Sequence, residues 1–174
     1  QNNKLELCLV EAGKTAGKSK KGAATTEGVG VCAVRSLRNV EVQAHRSGAR
    51  AVALSSDHLT VASASSGTVK VWNTASRQCL RTMPCGYALC CVFVPGDRYL
   101  LVGTKEGHIM LYEVASSTLC DEVEAHSLAV WSISLRPDGL GFASGSADKN
   151  IKFWEFEMKD DSGRMVRCFR VSWQ

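Results

Sequence analysis

Apolar and polar residues alternate along this chain in short runs, and clusters of Gly, Asp, Ser and Pro separate the runs. The clearest stretch reads AVWSISL at 129–135, GFASGS at 141–146 and NIKFWEF at 150–156, with Pro137-Asp138-Gly139 and Ala147-Asp148-Lys149 between them. Period-two alternation of β-branched, aromatic and small residues predicts half-buried strands, and the intervening residues supply the backbone angles that turns require. The same order occurs twice upstream. RAVALS, LTVASA and TVKVWN occupy 50–55, 59–64 and 68–73; ALCCVFV, YLLVGT and HIMLYE occupy 88–94, 99–104 and 108–113. The runs QCLRTM and TLCDEV then read as a fourth strand after each set. No stretch of ten or more residues follows a helical period, so the predicted class is all-β.

The third strands are near copies. TVKVWN, HIMLYE and NIKFWE place Trp72, Tyr112 and Trp154 at intervals of 40 and 42 residues. Self-similarity at ~40–45 residues with four strands per unit predicts the blades of a β-propeller, each burying its faces against its neighbours. Three units span 43–83, 84–123 and 124–174, the last with a polar tail from which Val166–Val171 supplies an outer strand. A partial unit at 1–42 precedes them. Its strands are Lys4–Val10 and Ser36–Val42, and residues 13–30 between them, rich in Gly, Ala, Thr and Lys, read as a flexible basic insertion. Closed propellers need about 4–8 blades. The expectation is therefore an incomplete propeller, a fragment or truncated product whose two outer faces leave apolar surface wet; an opening Gln1 agrees with it.

The third unit also carries the residues His126, Ser146, Asp148 and Trp154. A buried indole N–H and a buried imidazole each need a partner. The spacing predicts a chain in which Trp154 donates to Ser146, Ser146 bonds His126 and His126 bonds Asp148, tying the entry loop to the third strand. Ser, His and Asp together also suggest a hydrolase triad, but no Gly-x-Ser-x-Gly elbow exists and a hydroxyl capped by an indole on a buried strand is no nucleophile. The first unit keeps His45 and Trp72, with Ala64 at the expected hydroxyl position and Ser66 at the acid. The second has Gly86, Glu106 and Tyr112 in place of His, acid and Trp. Such units lean on packing. The pattern offers no catalytic, cofactor-binding or metal-ligating residue.

Composition narrows the classes further. The net charge of +4 is modest, and no apolar run approaches the length that spans a bilayer or forms a secretory leader. None of the eight cysteines falls in a Cys-x-x-Cys pair, which argues against zinc. Lying largely in apolar strand positions, they read as reduced thiols acting as small hydrophobes. Residues 12–19, AGKTAGKS, imitate a phosphate loop, but SKKGAATTEGVG follows and cannot begin the helix such a loop needs. Lys14, Lys18, Lys20 and Lys21 remain candidate phosphate contacts to RNA, of the sequence-independent, salt-sensitive kind.

These residues carry a family resemblance. The His126 and Trp154 constellation resembles the structural tetrad of WD-repeat propellers. Within that family, CGYALCCVFVPGDRYLLVGTKEGHIMLYEVASSTL at Cys85–Leu119 and GSADKNIKFWEFE at Gly145–Glu157 are similar to consecutive blades of the nucleolar WD-repeat proteins. The resemblance runs from Asn2 to about Glu157, leaving 13–30 and the tail after Lys159 unanchored. It implies a non-catalytic scaffold of the small-subunit processome in the nucleolus and nucleus. The partners it implies are other proteins of a large ribonucleoprotein assembly, with ribosomal RNA precursor or the U-three small nucleolar RNA as candidate RNA partners. It implies no cofactor, no small-molecule substrate and no membrane. The alternative is a generic WD-repeat adaptor in another nuclear or cytosolic complex, and fold alone does not separate the two.

Overall fold

The computed structural model describes the backbone of residues 5–12, 32–40, 44–158 and 165–171, and the side chains of 44–156. Every regular element among them is a strand. In chain order these are β1 (Leu5–Ala12), β2 (Cys32–Val40), β3 (Ala51–Leu54), β4 (Thr60–Ala64), β5 (Ser66–Asn73), β6 (Cys79–Phe93) and β7 (Tyr99–Thr104). Then follow β8 (His108–Glu113), β9 (Thr118–Glu124), β10 (Val130–Leu135), β11 (Gly141–Ser146), β12 (Ile151–Met158) and β13 (Met165–Val171). The chain forms two compact units, one at Lys4–Ala44 and the other running from His45 onward. The smaller unit holds an antiparallel pair, β1 on β2, with Leu5 opposite Val40, Ala12 opposite Cys32 and an irregularity between Leu7 and Cys8.

In the larger unit consecutive strands pair antiparallel, as short turns dictate, except across the step from β9 to β10. Strands β3 to β9 run in unbroken hydrogen-bonded order, and β10 to β13 form a second sheet. The seven-strand run is two four-stranded sheets sharing one long strand. The first part of β6 bonds β5, with Met83 opposite Val69; from Ala88 onward it bonds β7, with Phe93 opposite Leu100. The sequence suggested two separate strands at 78–83 and 88–94. Pro84 and Gly86 fall where the strand changes partner, and their lack of an N–H donor or of a side chain is harmless there.

Alternation sends neighbouring residues of the middle sheet into two different cores. Leu100 and Val102 of β7 and Met110 and Tyr112 of β8 pack toward the first sheet, against Ala62, Ala64, Val69 and Val71. Tyr99 and Leu101, with Ile109 and Leu111, pack toward the third sheet, against Val130, Phe142 and Trp154. All six residues of β7 are buried. Complementary sizes make the fit. Ala51, Ala53, Ala62 and Ala64 leave a recess on the first sheet that Phe93, Leu100, Met110 and Tyr112 fill. At the other interface a Cβ on Gly103 would lie 2.9 Å from Val130 Cγ1, so the glycine admits the valine. Phe142 stacks on Trp154 at 5.7 Å between ring centres.

Polar stitches cross the same interfaces. At one end, Asp97 accepts from the backbone N–H groups of Ser56 and Asp57 and from the Ser56 hydroxyl. At the other, the Gly107 carbonyl accepts from Ala125 N–H and His126 N–H, each at 3.0 Å. Gly107 has φ +96°, and a Cβ there would sit 2.1 Å from the His126 carbonyl oxygen. On the outer faces several large apolar side chains stand exposed. Val52 and Leu54 on the first sheet are 60% and 52% exposed, and Ile151 and Phe153 on the third are 64% and 44% exposed. The middle-sheet counterparts of Leu54, Ile151 and Phe153 are Phe93, Ile109 and Leu111, all buried, and that of Val52 is Cys91, half-buried.

Gly107→Ala therefore adds a backbone clash to an unfavourable φ and should cost about 3 kcal/mol or more of stability. Gly67→Ala, at φ +89° with open space around it, should cost about 1–2 kcal/mol, the conformational term alone. Urea unfolding of the two variants measures the difference; equal losses would show that the loop contact at Gly107 contributes nothing.

Candidate functional site

Two side-chain constellations occupy equivalent places in the first and third sheets, at the end where β4 and β11 finish. In the third sheet Phe142 lies opposite Trp154, and the next same-face residue of β11 is Ser144. The Trp154 indole N–H donates to Ser144 Oγ at 2.8 Å. His126 Nε2 lies 2.8 Å from that oxygen, and its Nδ1 lies 2.9 Å from Asp148 Oδ2. Ser144, His126 and Trp154 are all buried. The tautomer that satisfies every proton has Ser144 O–H donating to Nε2 and Nδ1–H donating to the Asp148 carboxylate. Desolvation opposes charge on Asp148. The Asn150 N–H, the His126 ring and the Ser127 N–H outweigh it and hold the carboxyl down at about 2.

The hydroxyl in this chain is Ser144, which corrects the expectation of Ser146. Both residues point to one face of β11, so alternation alone does not choose between them. Register does, because the indole reaches the residue two beyond its partner Phe142 and no further. Ser146 sits at the strand end instead, donating to the Leu128 carbonyl and accepting from Asp148 N–H, both at 3.2 Å. Lys152 completes the cluster by donating to the Ala125 carbonyl.

The first sheet repeats the design without an acid. Trp72 N–H donates to Ser63 Oγ at 2.8 Å, and His45 Nε2 lies 2.7 Å from the same oxygen. His45 Nδ1 meets Ser65 Oγ at 2.8 Å and Thr68 Oγ1 at 3.0 Å. The hydroxyl is thus Ser63, one residue before the expected position at Ala64, and the acid's place is taken by Ser65 and Thr68, not Ser66. Here the turn is one residue shorter: nine positions separate serine from tryptophan, against ten in the third sheet. The shorter turn leaves no position for a carboxylate. Burial, reinforced by the Lys70 charge, lowers the His45 pKa below its ordinary 6.5.

The middle sheet has no such chain. Val102, fully buried, stands where Ser63 and Ser144 stand in their sheets, and the Tyr112 hydroxyl donates to the Pro84 carbonyl at 2.5 Å. Burial pushes that phenol up to about 12. Gly86 leaves Glu106 without an imidazole to hold. Burial also pushes the Cys85 and Cys90 thiols up to about 11 and Cys91 up to about 12, so all three are protonated and unreactive at neutral pH. No group of three His, Cys, Asp or Glu able to hold a metal occurs among the described residues. Lys14, Lys18, Lys20 and Lys21 lie outside the described residues.

A buried Trp–Ser–His chain at two sheets, with an acid at one, binds each entry loop to its own third strand. The family profile of the WD domain, G-beta repeat, matches residues 35–73 and 117–155. The chain carries WD40 repeats. The two matched segments end just past Trp72 and Trp154; the unmatched WD40 unit between them is the one with Val102, Gly86 and Tyr112 in the key places. Among relatives, mouse WD repeat-containing protein 3 is 47% identical over 138 residues, 79% of this chain. The U3 small nucleolar RNA-associated protein 12 of Saccharomyces cerevisiae is 43% identical over 122 residues, 70% of the chain. A WD repeat-containing protein 3 homolog of Dictyostelium discoideum is 47% identical over 114 residues, 66% of the chain. The chain spans 14%, 13% and 12% of the lengths of these three relatives.

Ser144→Ala orphans the Trp154 N–H and one His126 nitrogen in a dry site, and should cost about 2–4 kcal/mol; Ser146→Ala should cost about 0.5–1 kcal/mol. Thermal or urea unfolding distinguishes them, and a larger loss at Ser146 would restore the sequence-based assignment.

The two imidazole networks should also part company in acid. His45 has a lowered pKa, so its network contributes fully above pH 6.5 and loses strength as pH falls from there toward the lowered value. Asp148 has a depressed pKa, so its contribution is whole above 3.8 and disappears as pH falls through about 2. Indole N–H exchange followed by NMR should show Trp72 losing protection before Trp154. Loss in the reverse order would contradict the assignment.

Proposed function

We propose that this chain is a non-catalytic scaffold of a nucleolar ribonucleoprotein assembly that matures small-subunit ribosomal RNA. The observation that carries the reading is the 43% identity, over 70% of the chain, to a relative named for its association with the U3 small nucleolar RNA. The site chemistry is in keeping with it. Each Ser–His pair is consumed by an indole hydrogen bond, and the Cys85, Cys90 and Cys91 thiols are protonated, so the polar clusters hold the sheets in shape and the loop tips and sheet faces are left for partners. Those partners are other proteins of the assembly. RNA contact, whether to the ribosomal RNA precursor or to U3-type RNA, enters through basic segments, Lys14, Lys18, Lys20 and Lys21 among them.

A second reading, a WD-repeat adaptor in another complex, has a weaker basis. Cell division cycle 20.1, cofactor of APC complex, from Arabidopsis thaliana, is 29% identical over 90 residues, half of this chain. Affinity purification of the tagged chain from cells, followed by gradient sedimentation and RNA blotting, tests both. The expected outcome is co-sedimentation with a large particle containing U3-type RNA and small-subunit precursor RNA. Recovery with an anaphase-promoting complex, and none of those RNAs, would replace the first reading with the second.

A further inference from the structure

The end of the sheets that holds the entry loops also gathers unpaired cations. Arg46 and Arg50 lie in the entry loop of the first sheet, Lys105 in the turn after β7 and Lys149 in the turn after β11, and all four are exposed. Backbone bonds fix these segments together. Arg50 N–H donates to the Ala64 carbonyl, Lys105 N–H to Tyr87, and Ala147 N–H to Ala129. None of the four cations makes an ion pair among the described residues, whereas at the opposite end Arg98 pairs with Glu113 and Arg136 with Asp138 and Glu155.

Aromatic rings are interleaved with these cations. The Arg50 guanidinium carbon lies 4.6 Å and the Lys105 ammonium 5.2 Å from the centre of the Tyr87 ring. Cations held over a ring are pre-positioned without being neutralised, and a guanidinium lying on a ring keeps its in-plane N–H fork free for an oxyanion. Trp131, at the same end of the third sheet, is 62% exposed. It is expelled by the register irregularity between Val130 and Ser132. An exposed indole fixed in a strand offers a flat stacking platform.

We propose that the entry-loop end, through Arg46, Arg50, Lys105, Lys149, Tyr87 and Trp131, is a binding surface for single-stranded RNA. The proposal rests on the ribonucleoprotein reading above and names its contact face. A cation at the end of each of three successive sheets suits a ligand with one negative charge per unit of backbone. Stacking on Trp131 requires a base. An acidic peptide would use the cations and leave the indole idle. Glu106 opposes the surface: its Oε2 lies 3.3 Å from where a Gly86 Cβ would stand, beside Tyr87.

The test is fluorescence polarisation of a labelled oligouridine with the whole chain, with polyglutamate as the rival probe and circular dichroism confirming the fold of each variant. Arg50→Gln with Lys105→Gln should weaken RNA binding about tenfold and reduce the salt slope by about 1.4, two phosphate contacts at roughly 0.7 each for a single strand. Trp131→Ala should weaken RNA binding about fivefold and leave polyglutamate unaffected. Glu106→Gln should tighten RNA binding about threefold, a gain that no loss of folding can imitate. Arg136→Gln, at the opposite end, should change nothing. Wild-type affinity in the double variant, an equal loss in Arg136→Gln, or tighter binding of polyglutamate than of RNA at one salt concentration would each overturn the proposal. If it falls while the chain still sediments with the precursor particle, the scaffold reading stands and only its RNA face is lost.

Discussion

Everything in the larger unit depends on the middle sheet being buried on both sides. A lone four-stranded sheet with β7 apolar on both faces, as Tyr99 to Val102 are, would be insoluble in either orientation. Placed between two others, it sends Leu100 and Val102 one way and Tyr99 and Leu101 the other. Each fully buried Leu, Val or Phe contributes about 1.5–3 kcal/mol, whereas a net hydrogen bond contributes about 1 kcal/mol. Face-to-face packing therefore dominates, and the Ser–His–Trp chains act mainly as insurance against wrong loop placement. The same logic makes Val52, Leu54, Ile151 and Phe153 conspicuous. They occupy packing positions yet stand largely exposed, so these parts of the outer faces are competent to receive the kind of cover the inner faces already have.

The middle sheet shows what happens when packing suffices. It lacks the imidazole and the central hydroxyl, and Val102 fills the space with apolar volume. A half-kept network would have been worse than none, since a serine without its indole and histidine partners would be an unsatisfied polar group in a dry core. Tyr112 keeps only the part that still has a use, the ring for packing and a hydroxyl aimed at the Pro84 carbonyl. The outer sheets retain the Trp–Ser–His chain, complete with its acid only in the third.

Fold class and repeat length were legible because alternation and turn chemistry are local properties, and a 40-residue period in TVKVWN and HIMLYE is visible without coordinates. Individual atoms were less so. Ser144 and Ser146 share a face, and only the pairing of Phe142 with Trp154 decides which one meets the indole. In the first sheet a single missing turn residue shifted the apparent alignment and turned attention to Ala64 and Ser66 instead of Ser63, Ser65 and Thr68. Register is a long-range quantity set by how two strands meet, so errors of one or two residues are the expected failure of a reading based on spacing. The continuity of β6 was hidden for a related reason. Pro84 and Gly86 look like a break in the sequence, yet they fall where the strand exchanges partners.

The cationic end was invisible to spacing altogether. Arg50 belongs to one repeat and Tyr87 and Lys105 to the next, and they follow no motif; they meet only because successive sheets present their entry loops on the same side. Repeat architecture converts distant residues of low individual significance into one surface, and it does so without strain, because loop tips carry little of the packing energy. That division of labour is what allows such a chain to change partners by altering exposed residues. Arg50 or Lys105 can be replaced at small cost to the fold, whereas Leu101 or Gly107 cannot, since one fills a core and the other lies under the backbone of the next sheet. Stability and recognition are written on different atoms of the same strands, with the buried faces fixing the stack and the loop ends left free to specify what it holds.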